Sequence, residues 1–211
     1  ERLRQLAEAV DMGGSTTVVC RHRCSGFVGA VALGLACECV EVEVDRVDEV
    51  PTVRVALEPL SVEHADEMWA VLADPALYRF TGGDPPSREA LAERYRAQVA
   101  GSGQSGEQWH NWIVRRTDSK ESIGFVQATV IDGAADLAWL VGVAHQSRGL
   151  AVEAVLAMVD ELVASGVSRV TAHIHREHSR SQRVASAIGL ERTGAVDDDG
   201  EEIWGDSTAG N

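Results

Sequence analysis

The chain has 211 residues, 45% of them apolar and 25% charged, the balance of a soluble globular protein with one sizeable domain and an appendage. Its 19 basic and 33 acidic residues give a net charge of −14 spread along the chain. That excludes the basic face of a nucleic-acid binder and suits a cationic partner.

Residues 1–50 read as an accessory extension. Cys20, Cys24, Cys37 and Cys39 all fall here, but the spacing is not that of paired zinc ligands, and an apolar run separates Cys24 from Cys37. They are read as incidental thiols, with no metal. That run, "FVGAVALGLA" behind Arg21-His22-Arg23, imitates a secretory signal. It starts too far from the terminus and falls short of the roughly 20 apolar residues of a membrane span. "MGGSTT" from Met12 imitates a myristoylation site but is internal. The chain does not begin with methionine, so the extension also fits a leader from an over-called start. "VEVEVDRV" (40–47) alternates enough for one strand. The domain boundary is set near Pro51, with the main domain over 51–211.

From there the periodicities sharpen. "TVRVALEPL" predicts a strand closed by Pro59. Ser61 is the expected cap of a helix with Ala65, Met68, Trp69 and Leu72 on one face. After the turn cluster "GGDPPS", Ser87 caps a second helix that ends at the loop 101–106. Three strands follow, "QWHNWIVRR", "SIGFVQATVI" and "ADLAWLVGV", joined by turns at Asp118-Ser119-Lys120 and Asp132-Gly133. A nearly apolar helix over 151–164, stopped by Gly166, is predicted to be largely buried. "SRVTAHIH" is a strand, "SRSQRVASAIG" a short helix ended by Gly189, and "LERTGAV" and "EEIWG" are closing strands. This order predicts an α+β fold, a mixed and mostly antiparallel sheet of six or seven strands flanked by about four helices.

The junction "WLVGVAHQSRGLA" carries the chemistry. A strand that turns directly into a helix leaves the first helical N–H groups unpaired, and with the positive end of the helix dipole they seat an anion. Gly149 lets the backbone approach a phosphate, and Arg148 can add a charge-assisted contact. Gln127 sits in an otherwise apolar strand, where a polar side chain needs a partner or an acceptor groove to line. Trp112 and Trp139 read as core residues. "HIH" places His173 and His175 at a chelating spacing, without a carboxylate or cysteine at ligand distance in sequence.

"QSRGLA" and the downstream "HSRSQRVASAIGL", together with "IGF" at 123–125, resemble the GNAT acyltransferases, and within them the RimJ/RimL-type N-acetyltransferase branch. The resemblance covers about residues 52–206. It implies a cytoplasmic enzyme that transfers acetyl from acetyl-CoA to a primary amine, on a small cationic molecule or a protein N-terminus, with no metal, membrane or nucleic acid. The apolar strands and helices would also suit a homodimer. The loop amides of Gln146, Ser147, Arg148, Gly149, Leu150 and Ala151 would hold the pyrophosphate, with His178 and Arg183 nearby. The backbone of Val141 and Val143 would bind the pantetheine arm like an added strand. An amide near Val141 would serve the oxyanion. Ser181 is the candidate acid for the thiolate, or else a helix cap, and Asp136 the candidate base or anchor for a cationic acceptor. Two residues depart from the family pattern. Ser147 stands where glycine is common, and His178 stands for an asparagine. A non-catalytic acyl-CoA-binding module is the alternative reading.

Overall fold

A computed structural model describes residues 53–206. The cysteine quartet, the signal-like run and the strand expected at 40–47 lie outside the described residues. The elements run β1 (Val55–Pro59), α1 (His64–Leu72), a 3-10 turn (Pro75–Tyr78), α2 (Arg88–Ala100), β2 (Glu107–Arg116), β3 (Ser122–Ile131) and β4 (Ala134–Val141). A second 3-10 turn (Val143–His145) leads to α3 (Leu150–Ala164), β5 (Arg169–Ile174), α4 (Ser179–Ala187), β6 (Glu191–Val196) and β7 (Glu202–Gly205).

Seven strands form one sheet in the order β1-β2-β3-β4-β5-β7-β6, antiparallel except for the parallel pair β4 and β5. α3 supplies the crossover that a parallel pair requires. Asp132 and Gly133, both at positive φ, close the β3–β4 hairpin in the primed-turn conformation that matches strand twist.

The two faces of the sheet carry separate cores. On one, α3 buries Leu150, Ala154, Val155, Met158, Val159 and Leu162 against Val126, Ala128, Leu137, Val170 and Ala172. On the other, Met68, Leu72, Leu91 and Tyr95 of α1 and α2 meet Ile113 of β2. Each such side chain contributes roughly 1.5–3 kcal/mol by leaving water, so α3 is held firmly where its first turn faces the loop before it. Gly124 in "IGF" has a packing reason: a Cβ there would lie 2.1 Å from the carbonyl oxygen of Leu140 on β4.

One local expectation holds and two change. Ser87 does cap α2, its Oγ accepting from the N–H of Ala90 at 3.1 Å. Ser61 does not cap α1. The helix starts at His64, whose own Nδ1 accepts from the N–H of Ser61 at 3.0 Å. The third hairpin strand, expected to reach Val143, stops at Val141, because Gly142 turns the chain into the 3-10 segment.

Candidate active site

β4 and β5 pair over only three positions, Ala134↔Arg169, Ala135↔Val170 and Asp136↔Thr171. Beyond them β4 continues beside β3 to Val141, while β5 pairs with β7. The two strands therefore splay apart, and among the described residues the β4 edge from Leu137 onward has no strand partner on that side. A cleft of about 1020 Å³ occupies the gap. The loop before α3, the first turns of α4 and Arg79, Phe80 and Thr81 complete its walls.

The loop is shaped to present amides. Ser147 (φ 61) and Gly149 (φ 77) both take left-handed conformations, and Gly149 is the N-cap of α3 without any side-chain cap. Among the described residues, no acceptor is paired with the N–H groups of Ser147, Arg148 and Gly149. With the first N–H groups of α3, from Leu150 and Ala151, they make a set of donors backed by the helix dipole that could hold an anion. The positive φ at Ser147 is the physical reason glycine would suit that position. Arg148 is exposed, and its carbonyl accepts from Arg54 Nη1 at 2.9 Å.

Gln146 is not a free ligand. Its Nε2 donates to the carbonyl of Val141 at 2.8 Å, and its Oε1 accepts from Arg180 of α4. It ties the end of β4 to the start of α4 across the loop. Val143 is exposed in the 3-10 turn, where its carbonyl accepts from the N–H of Gln146 at 3.3 Å.

α4 begins at His178, whose Nδ1 accepts from the N–H of Ser181 at 3.0 Å. The imidazole thus supplies the side-chain acceptor of the helix N-cap. Burial pushes its pKa below the ordinary histidine value, which keeps that nitrogen unprotonated. Phe80 meets the His178 ring edge-on at 4.5 Å between centroids. Ser181 sits three residues into the turn as the donor to the cap, so its hydroxyl has no capping role, and it lines the cleft with Arg183.

At the narrow end of the gap, three titratable groups converge. Asp136 Oδ1 accepts from Thr171 Oγ1 at 3.3 Å and lies 3.8 Å from His173 Nε2. The other ring nitrogen of His173, Nδ1, is 2.6 Å from Asp197 Oδ2 in the β6–β7 connection. Half of the Asp136 side chain is accessible, yet the crowding strands desolvate its carboxylate enough to raise its pKa, against the opposing effects of His173 and Thr171. The Asp197 hydrogen bond raises the pKa of His173. His173 lines the cleft, and Asp136, which does not, lies 3.8 Å from its Nε2. His175 lies tilted against Phe80, with ring centroids 5.5 Å apart, and no group of three potential metal ligands occurs among the described residues.

Gln127 does not line the cleft. Its Oε1 accepts from Gln98 Nε2 of α2 at 3.5 Å. Trp112 and Trp139 pack against the α3-side core, and Trp139 also borders the cleft. Sequence reasoning did not find Asp197, Phe80 or Arg180, and saw in His173 only half of a chelate. The one available signal was a histidine placed two strand positions beyond the residue facing Asp136.

A splayed parallel pair beside an amide-lined strand-to-helix loop defines the acyltransferase class of GNAT fold. The profile of the family described as Acetyltransferase (GNAT) domain matches residues 54–191, and the chain belongs to that family of acyl-transferring enzymes. Among solved structures it is similar to AAC(6')-Ib in complex with paromomycin and acetyl-CoA, at 21% identity and TM-score 0.61 over 72% of this chain and 92% of that one. It is likewise similar to RimL, the ribosomal L7/L12 alpha-N-protein acetyltransferase, at 13% identity and TM-score 0.60 over 72% and 89%. A putative GNAT-family acetyltransferase from Bordetella pertussis aligns at 24% identity and TM-score 0.59 over 73% and 96%. At these identities the likeness shows the fold. No curated protein matches the sequence.

Proposed function

We propose that the protein is an N-acetyltransferase that takes acetyl from acetyl-CoA and passes it to a primary amine on a cationic acceptor, within a catalytic domain spanning residues 51–211. The observation that carries this reading is the unpaired edge of β4 opening beside the free amides of Ser147, Arg148 and Gly149. Those amides suit a pyrophosphate, and the strand edge suits the two amides of a pantetheine arm. The order Ser181, Arg183, Val184, Gly189 and Leu190 supports the RimJ/RimL-type branch, with His178 standing where that pattern has asparagine.

In the reaction the neutral amine attacks the thioester carbonyl, an oxyanion forms, and the thiolate leaves. A backbone N–H at the end of β4 would stabilise the oxyanion. Ser181, free of a capping role, would supply the proton to the thiolate. Glu201 on the cleft wall, with Asp136 and Asp197 beside the cleft-lining His173, favours an acceptor that arrives as an ammonium. AAC(6')-Ib, with its bound aminoglycosides, and RimL, a protein N-terminal acetyltransferase, support two forms of such an acceptor: a small polyamine or an unblocked N-terminus.

The test has two stages. Calorimetric titration of acetyl-CoA into wild type and Gly149→Glu should show binding that the variant loses, because the carboxylate meets the pyrophosphate. Thiol release is then followed with ribostamycin and with an unblocked basic peptide. Release with either amine supports the enzyme. Binding without release would instead make the chain a non-catalytic acyl-CoA module, and a folded wild type that binds no acetyl-CoA would overturn the cofactor site.

A further inference from the structure

We infer that His173 is the group that takes the proton of the acceptor amine, with Asp197 holding its ring and Asp136 receiving the acceptor's ammonium. The inference rests on the N-acetyltransferase reading and assigns the base within it. The 2.6 Å contact to Asp197 Oδ2 engages Nδ1, so the neutral ring carries its proton there and exposes the lone pair of Nε2. This is the arrangement by which a carboxylate orients a histidine base, here with Asp197 partly exposed. Nε2 and Asp136 Oδ1 are 3.8 Å apart, too far to bond each other directly. An amine nitrogen can lie within hydrogen-bonding distance, roughly 2.9 Å, of both. His173 lines the cleft and Asp136 does not, so of the two the ring is the group presented to a molecule in the cleft.

The groups facing His173 come from two elements besides its own strand. Asp136 projects from β4, and Asp197 and Glu201 lie in the β6–β7 connection. All three are acidic and favour the imidazolium, which stabilises the proton once it has been taken. The step balances as follows. The acceptor enters as an ammonium and loses one proton to water. Its nitrogen then forms the C–N bond as the C–S bond breaks. The second nitrogen proton passes to Nε2 of His173 and from there to solvent, and the thiolate is protonated to free CoA.

The test uses His173→Gln and Asp197→Asn in the full chain, with whichever of ribostamycin or the basic peptide is acetylated. Acetyl-CoA affinity of both variants should equal wild type by calorimetry. His173→Gln should lower kcat about 100-fold and abolish the acid limb of the kcat/KM profile against pH. Asp197→Asn should keep the limb and move it to lower pH, since the carboxylate that stabilises the imidazolium is gone. Should His173→Gln fail to bind acetyl-CoA through misfolding, the displaced limb in Asp197→Asn decides. A His173→Gln enzyme with activity within threefold of wild type, or an unmoved limb in Asp197→Asn, overturns the assignment and leaves the enzyme reading intact. Absence of turnover by wild type with acetyl-CoA bound overturns both together.

Discussion

The carboxylate of Glu153, in the first turn of α3, is held by Arg54 at the start of β1. It accepts from the Arg54 and Val55 backbone N–H groups, the latter at 3.1 Å, and from Arg54 Nε at 2.9 Å. Arg54 in turn donates to the carbonyl of Arg148. A negative side chain beside an anion seat would repel a phosphate if it were unpaired. Here it is turned away to join the edge strand to the helix, leaving the loop amides facing the cleft. Removing it leaves two backbone donors without their acceptor.

Glu153→Ala should therefore destabilise the domain by about 1–3 kcal/mol, the penalty for stripping a charged acceptor from its donors. Urea denaturation followed by far-UV circular dichroism would measure it, and Glu153→Gln should recover part of the loss.

Ser147 carries a positive φ that an L-side chain tolerates poorly. Ser147→Gly should raise stability by about 1 kcal/mol through relief of left-handed strain. Thermal melts read this as a shift of about 2–4 °C for a chain of this size. A lowered melting temperature would show that the serine side chain itself supports the loop.

Ser181 has no capping role, because His178 accepts from its N–H. Ser181→Ala should leave both stability and acetyl-CoA affinity near wild type while lowering kcat by about 100-fold, as loss of a general acid does. Single-turnover thiol release, compared with calorimetric affinity, separates the two effects.

Met158 lies wholly buried on α3 between the helix and the sheet. Met158→Ala should cost about 2–5 kcal/mol from lost burial and the cavity left behind. Equilibrium unfolding measures it directly.

On the other side of the molecule, Arg115 bridges Glu58 at 2.6 Å and Glu67 at 2.7 Å. Its hydrogen bonds hold both carboxyl groups below their ordinary value of 4.5. A carboxylate with a depressed folded pKa contributes stability that is fully present above the unfolded value and lost as pH falls through the folded one. Stability should fall with acidification below about pH 4.5, modestly because both carboxylates are partly exposed to screening solvent. Arg115→Met should flatten that slope in urea melts repeated across the window.

Much of this architecture was legible from local chemistry. Ser87 capped its helix, Gly166 and Gly189 ended theirs, and Asp132-Gly133 made the hairpin, because each depends on φ preference or on hydrogen bonds spanning a few residues. The apolar stripe of α3 fixed its burial in the same way. The failures were also local, but they were contests between neighbours. At the start of α1 the His64 imidazole displaced Ser61, and at 178 another histidine took the cap while serine was the obvious candidate. A ring nitrogen accepts a hydrogen bond as a hydroxyl does, and at His178 burial, of which sequence carries no sign, favours the neutral ring.

The sequence by itself determined the order of elements and the strand-to-helix loop before α3, since these follow from periodicity and turn preferences within a short span. Tertiary structure alone decided where β4 and β5 part, since strand register is set by packing on both faces. It alone set Glu153 against Arg54, 99 residues away, and His173 against Asp197, 24 residues away. Gln127, an equally plausible polar residue by sequence, was turned toward Gln98 and out of the cleft. Such contacts depend on which faces and edges the folded sheet brings together, and no local preference of the chain encodes that.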